Sequence, residues 1–207
     1  MAEILVGTSG FYYEDWRGEF YPPDLQKKDF LGFYAQHFKV IELNYSYYKM
    51  PDATQSKKMI AKSGSNLDFV IKANREMTHN FSTDSLDKVI AQFARGISPF
   101  HESGRLGGIL LQFPQQFHYT RGNRIYLKTL IEALSPYPLF VEFRQKTWLK
   151  ESVYDTLREL GVGFVCVDEP PLPSLIPPIN VLTAPSGYIR FHGRNRKNWY
   201  GTDSKAR

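Results

Sequence analysis

Nine polar side chains in this sequence stand at or just beyond the ends of short apolar runs. They are the carboxylates Glu42, Glu142 and Asp168, the bases Lys72, Arg144, Arg190 and His192, and the amides Asn44 and Gln112. Brought together, such a mixture suits a charged or hydroxyl-rich small ligand. Arg144 and Arg190 are each able to grip a carboxylate or phosphate through two parallel hydrogen bonds. A glutamate close to an arginine is held ionised, ready to act as a base or a ligand. On this reading Glu42, Glu142, Lys72 and Asp168 are the catalytic candidates, and Asn44, Gln112, Arg144, Arg190 and His192 bind the ligand. The competing reading is structural: Glu142 with Arg144, or Glu42 with Lys72, neutralise one another across adjacent strands.

Two more specific chemistries are open. Glu142, Asp168 and His192 come from successive segments, and carboxylate plus imidazole ligands suit a divalent metal such as Zn²⁺ or Mn²⁺ with open coordination positions. The five histidines show no clustered metal-binding motif, so this signal is weak. Alternatively, Glu42 and Glu142 are a carboxylate pair of the kind a glycosidase places about 5 to 9 Å apart. Aromatic residues follow the polar positions, with Tyr12, Trp148 and Trp199 the candidates for stacking on a sugar or a base. Their ordinary role is to cap a core. No Gly-x-Ser-x-Gly elbow, Walker-type phosphate loop or dinucleotide fingerprint is present.

The elements that must position these residues are legible from spacing. Seven apolar runs recur along the chain: Ile4–Val6, Val40–Asn44, Phe69–Lys72, Ile109–Phe113, Leu139–Phe143, Phe164–Val167 and Tyr188–Phe191. Helical periodicity lies between most of them, as in Ser85–Ile97 and in Ser152–Leu160, which ends at Gly161. Alternating strand and helix predicts a parallel sheet. Side chains alternate along a strand, so Glu42 and Asn44 oppose Ile41 and Leu43, Glu142 and Arg144 oppose Val141 and Phe143, and Arg190 and His192 oppose Ile189 and Phe191. Asp168 is read as following Phe164 and Cys166 on one face. The same phase in strand after strand predicts an α/β barrel of the TIM type, apolar outside under helices and polar at its mouth, with the nine residues converging on one pocket. The proline-rich stretch Asp168–Ala184 is expected to be an extended surface loop.

Composition sets the outer limits. With 207 residues, a single domain over 1–207 is expected. The lone Cys166 excludes an intramolecular disulfide, and a reducing cytoplasmic setting follows as the expectation. No stretch approaches the roughly 18 apolar residues that span a bilayer, so no membrane partner is expected. The net charge of +5 is compatible with an anionic small molecule or nucleic acid as partner. A basic run, Arg190, Arg194, Arg196 and Lys197 continuing to Lys205 and Arg207, is read either as a solvated loop or as a nucleic-acid contact.

A set of motifs in fixed order carries a resemblance. It comprises Gly7-Thr8-Ser9-Gly10-Phe11 with Trp16, Glu42-Leu43-Asn44 with Tyr47-Tyr48, Thr78-His79, Leu111-Gln112-Phe113-Pro114, Val141-Glu142-Phe143-Arg144 with Trp148, and Arg190-Phe191-His192-Gly193-Arg194 with Trp199-Tyr200. The chain resembles the YecE-like family, the seventy-second domain of unknown function, over nearly its whole length. The resemblance implies a TIM-type barrel and brings no activity with it. Phe11 stands where the family usually has Trp. The resemblance also implies an eighth strand with an aromatic and asparagine-rich motif, which this sequence does not contain.

Overall fold

Short runs of β-branched and aromatic residues, bounded by Gly, Pro or Asn, become strands, and the amphipathic stretches between them become helices. The computed structural model of the chain describes residues 2–80, 85–173 and 175–196. In chain order its regular elements are β1 (Gly7–Ser9), α1 (Phe30–His37), β2 (Val40–Leu43), α2 (Tyr45–Tyr48), α3 (Ala53–Lys62), β3 (Asp68–Lys72), α4 (Arg75–Thr78), α5 (Leu86–Glu102), β4 (Leu106–Gln112), α6 (Arg121–Ala133), β5 (Leu139–Glu142), α7 (Glu151–Glu159), β6 (Gly163–Asp168) and β7 (Tyr188–Phe191). The chain forms two compact units, Met1–Ile109 with Pro136–Pro138, and Leu110–Ser135 with Leu139–Arg207.

In the first unit the strand order is β1-β2-β3-β4. Pairing of β1 with β2 and of β2 with β3 is parallel, with Ser9 level with Glu42 and Leu43 level with Ile71. Both faces of these strands are covered, as parallel sheets require: Ile41, Leu43, Phe69 and Ile71 on one face and Glu42 and Val70 on the other are buried. Ile4–Val6, expected as the first strand, is exposed irregular chain. The ladder to β2 begins at Gly7 opposite Val40, so the residues before Gly7 have no strand to pair with. Helix α5 runs five residues beyond the expected Ile97, through Pro99. Proline donates no N–H, and the Ser98 hydroxyl donates to the Arg95 carbonyl at 3.3 Å. Caps fix other starts: Asp52 Oδ1 accepts from Gln55 N at 3.0 Å ahead of α3, an arrangement worth about 1 kcal/mol.

In the second unit the order is β4-β5-β6-β7, with β6 parallel to both β5 and β7. Its core holds a set of stacked rings. Phe113, Phe117, Trp148 and Phe143 lie nearly parallel, with Phe117 and Phe143 at 5.2 and 4.4 Å from Trp148. The Trp148 indole N–H donates to the Phe117 carbonyl at 2.6 Å, so its one polar atom is satisfied inside the core. Before α6, Thr120 accepts from Asn123 N at 3.2 Å. Gly161, at φ 66°, ends the α7 segment as expected.

The segment after β6 has no helix or strand among its described residues up to Gly187, as its prolines dictate. It is not simply a surface loop, however. Glu169, Leu175, Ile176 and Thr183 are buried. The Thr183 hydroxyl donates to Val162 O at 2.6 Å and accepts from Phe164 N at 2.7 Å, tying the segment to the start of β6. Among the described residues no helix is long and apolar enough to cross a membrane.

Candidate functional site

Of the nine polar residues, Gln112, Glu142, Arg144, Arg190 and His192 meet in the second unit, Glu42, Asn44 and Lys72 belong to the first, and Asp168 stands apart. In the second unit the centre is Glu142, the last residue of β5, whose side chain is fully buried. Its Oε1 is 2.6 Å from Arg144 Nε, and its Oε2 accepts from Arg190 Nη1. The Arg144 contact is an ion pair without hydrogen-bond alignment, because neither atom finds an aligned partner. Arg144 reaches onward through Nη1 to Glu169 Oε2 at 2.8 Å, and Arg190 through Nη1 to Gln112 Oε1 at 3.3 Å. His192 Nε2 lies 3.0 Å from Arg144 Nη2 and 3.4 Å from Glu142 Oε1.

Burial alone pushes the Glu142 carboxyl up, but the nearby His192 and the charges of Arg144 and Arg190 outweigh it and hold the group well below the usual carboxylate range. A carboxylate so held is a charge anchor and a poor proton acceptor near neutrality. The network is also stratified. The side chains of Glu142 and Glu169 are 0% exposed, whereas those of Arg144 and His192 are 18% and 17% exposed. The acids lie underneath, and the part that reaches solvent is basic.

Glu169 is the member that sequence parity missed. Val141 is level with Phe164, and Val167 with Arg190. In a parallel ladder level residues share a face, so Glu169, two residues past Val167, belongs to the face of Glu142 and Arg190. Asp168 belongs to the other one. This overturns the expected placing of Asp168 in the cluster. Both its oxygens accept from Arg194, at 2.9 and 2.8 Å, and that hydrogen-bonded pair lowers the Asp168 carboxyl from its ordinary value. The expected metal trio of Glu142, Asp168 and His192 therefore does not assemble, and among the described residues no group of three or more His, Cys, Asp or Glu is placed to hold a metal ion. Trp148, expected at a ligand-facing rim, is instead 2% exposed within its ring stack. Trp199, Lys197, Lys205 and Arg207 lie outside the described residues.

The first unit holds the other group. Ser9 Oγ donates to Glu42 Oε1 at 2.5 Å, the direct outcome of their level register. The Tyr13 hydroxyl donates to Ser9 O, and burial together with the Glu42 charge raises its pKa. Lys72 Nζ lies over the Tyr47 ring at 4.7 Å, and His79 meets the same ring edge-on at 5.0 Å. Burial and then the Lys72 charge lower the His79 pKa, disfavouring the imidazolium. Asn44 Oδ1 is buried without a hydrogen-bond partner. Asn74 has a structural task, donating to Ser46 O at 2.8 Å and capping α4 at Glu76 N. Tyr12 is half-exposed, packed on Phe30 with Lys27 over its ring at 5.3 Å.

Parallel strands in chain order, alternating with helices and ending in paired charges, define an α/β protein of the βα-repeat class. The chain belongs to the family described as protein of unknown function DUF72, whose model matches residues 5–207. It is 28% identical over 211 residues to UPF0759 protein YunF of Bacillus subtilis strain 168, an alignment covering 97% of this chain and 73% of that protein. Among solved structures it is similar to a DUF72 family protein from Thermotoga maritima MSB8, with TM-score 0.87 and 38% identity over 97% of this chain and 78% of that one. It also shares the fold of a DUF72 family protein from Enterococcus faecalis V583, with TM-score 0.85 and 24% identity over 98% of this chain and 75% of that one.

Proposed function

We propose that the protein is an enzyme acting on a phosphorylated or otherwise anionic, sugar-like substrate, held at the strand ends of the second unit by Arg144 and Arg190 with His192 as the proton carrier. A TIM-type (β/α) barrel formed as one domain is the proposed architecture, supported by the parallel, in-order strands and by the family membership. The observation that carries the reading is the stratified charge: buried Glu142 holds the buried Arg190 and, with buried Glu169, braces Arg144, which together with His192 is the part solvent reaches. Preorganised cations over a buried acidic layer suit an anion, because their positions need no reorganisation on binding.

His192 supports catalysis over mere binding. Arginine only donates, so at 3.0 Å from Arg144 the Nε2 atom accepts and the neutral ring carries its proton on Nδ1. A proton taken up at Nε2 faces the Glu142 carboxylate, whose Oε1 lies at 3.4 Å and balances the charge without taking the proton. Both protonation states thus have a partner, which is what a general acid–base group needs. The alternative is a non-catalytic binder of nucleic acid or a small anion, to which the exposed Arg194 and Arg196 would contribute.

A thermal-shift screen of the whole chain against inorganic phosphate, sugar phosphates, nucleotides and short DNA tests this, with Arg144→Gln and His192→Gln alongside. A ligand at about 100 times its Kd stabilises by about 2.7 kcal/mol. The expected result is a sugar phosphate or nucleotide that protects the wild type and His192→Gln but not Arg144→Gln, and that is turned over only by the wild type. Protection by DNA alone, lost steeply with added salt, favours the binder. No response to any anion refutes both readings.

A further inference from the structure

The second unit carries a separate feature on its helical side. A groove of about 430 Å³ runs between α6 and α7, within the roughly 300–1,000 Å³ range of small-molecule sites. Its floor is apolar, built from Leu127, Ile131, Val153, Leu157 and the indole of Trp148, all buried. The α7 wall contributes the uncharged Ser152 and Thr156, while Glu151 and Asp155 do not line the groove and are paired with Arg158. The α6 wall is basic: Arg121, Arg124 and Lys128 recur at helical spacing along one row, and no carboxylate lines the groove.

The position of those cations is the informative part. Arg121 and Arg124 occupy the first turn of α6, which contains no acidic residue. A helix N-terminus carries partial positive charge and ordinarily attracts Asp or Glu, so two arginines there work against the helix dipole. Neither makes an ion pair among the described residues; Arg124 lies over the Tyr119 ring at 5.0 Å, beside which Lys150 lies at 5.4 Å. An anion seated between them removes the repulsion and meets a first helical turn that favours negative charge. From Arg121 to Ile131 the helix rises about 15 Å, enough for an extended aliphatic chain lying on the floor with its head at the arginines.

We propose that the groove between α6 and α7 binds a medium-chain aliphatic carboxylate, its carboxylate at Arg121 and Arg124 and its chain along Leu127, Ile131, Val153 and Leu157. The site is independent of the strand-end reading above. The test is isothermal titration of the whole chain with decanoate below its micellar concentration, with decyltrimethylammonium and acetate as probes of head charge and chain. Two variants accompany it: Arg121→Glu with Arg124→Glu, which improves the helix-end electrostatics and so leaves folding intact, and Thr156→Trp, which fills the groove from an exposed position. The expected result is saturable one-to-one binding of decanoate, weakened at least about tenfold by the double charge reversal and by Thr156→Trp, with far weaker binding of either other probe. Absence of saturable decanoate binding overturns the proposal, as does binding that neither variant changes or that decyltrimethylammonium matches. A synthetic acidic amphipathic helix that binds where decanoate does not would reassign the groove to a peptide and equally overturn it.

Discussion

Arg144 and Arg190 hold opposite oxygens of one fully buried carboxylate, Arg144 Nε at Glu142 Oε1 and Arg190 Nη1 at Oε2. Arg144 stands two residues beyond Glu142, past the end of β5, and Arg190 lies in β7, so a single side chain fixes the spacing of two guanidiniums contributed by distant parts of the sequence.

Replacing Glu142 by Gln keeps the shape and removes the charge. Two arginines then face an amide, and although Arg144 retains Glu169 and Arg190 retains Gln112, the buried positive charge is undercompensated. Removing one member of a buried pair costs about 3–5 kcal/mol. The expected outcome for Glu142→Gln is destabilisation in that range, read as a lower midpoint in urea at unchanged slope.

The same carboxylate gives a pH dependence with a definite sign. Its folded pKa is depressed, so the unfolded chain binds the proton first as acid is added. Its stabilising contribution is complete above the unfolded value of about 4.3 and is lost as pH falls from there toward the folded value, at up to about 1.4 kcal/mol per pH unit. Urea midpoints measured through this acid range are expected to fall more steeply for the wild type than for Glu142→Gln. Parallel slopes would show that Glu142 is not held ionised.

Much of this was legible in the sequence. Strand runs such as Tyr188–Phe191 end where expected, and the alternation around Glu142, Arg144, Arg190 and His192 identified four residues that do touch one another. Parity failed on β6 because both its faces are apolar: Phe164, Val165, Cys166 and Val167 are all buried, so hydrophobicity cannot say which face Asp168 shares. The register with β7 decides it, and register is a long-range property. Trp148 was misplaced for a related reason. An indole after a strand serves equally well as a rim or as a lid on the core, and only the flanking Phe117 and Phe143 rings make it the second.

A close approach in the first unit provides a test of packing. A side chain at Gly96 in α5 would put its Cβ 2.2 Å from the Pro51 carbonyl oxygen, and the Gly96 carbonyl accepts from Ser56 Oγ of α3 at 2.7 Å. In a free helix, Gly→Ala is favourable by about 1 kcal/mol. Here the clash is with backbone and overrides that gain, since overpacking of this kind costs about 1–3 kcal/mol or more. Gly96→Ala is expected to lower the thermal midpoint, whereas the same change at Gly122, on open surface in α6, is expected to raise it.

His79 makes the complementary pH prediction. Burial, and then the Lys72 ammonium, keep its imidazole neutral in the folded chain to lower pH than in the unfolded one. Below the unfolded value of about 6.5 the unfolded chain takes up a proton that the folded chain resists, so stability falls as pH drops through this window. Replacing His79 by Gln abolishes the titration while retaining a polar group beside Thr78. Comparing urea midpoints at about pH 7.5 and 5.5, on either side of the free histidine value, is expected to show a smaller loss for His79→Gln than for the wild type. The pH difference is the informative quantity: losing the edge contact with Tyr47 shifts both midpoints together, whereas only a histidine held neutral makes the two proteins diverge in acid. An identical loss in both would place the acid sensitivity elsewhere and remove the case for Lys72 and His79 acting on each other.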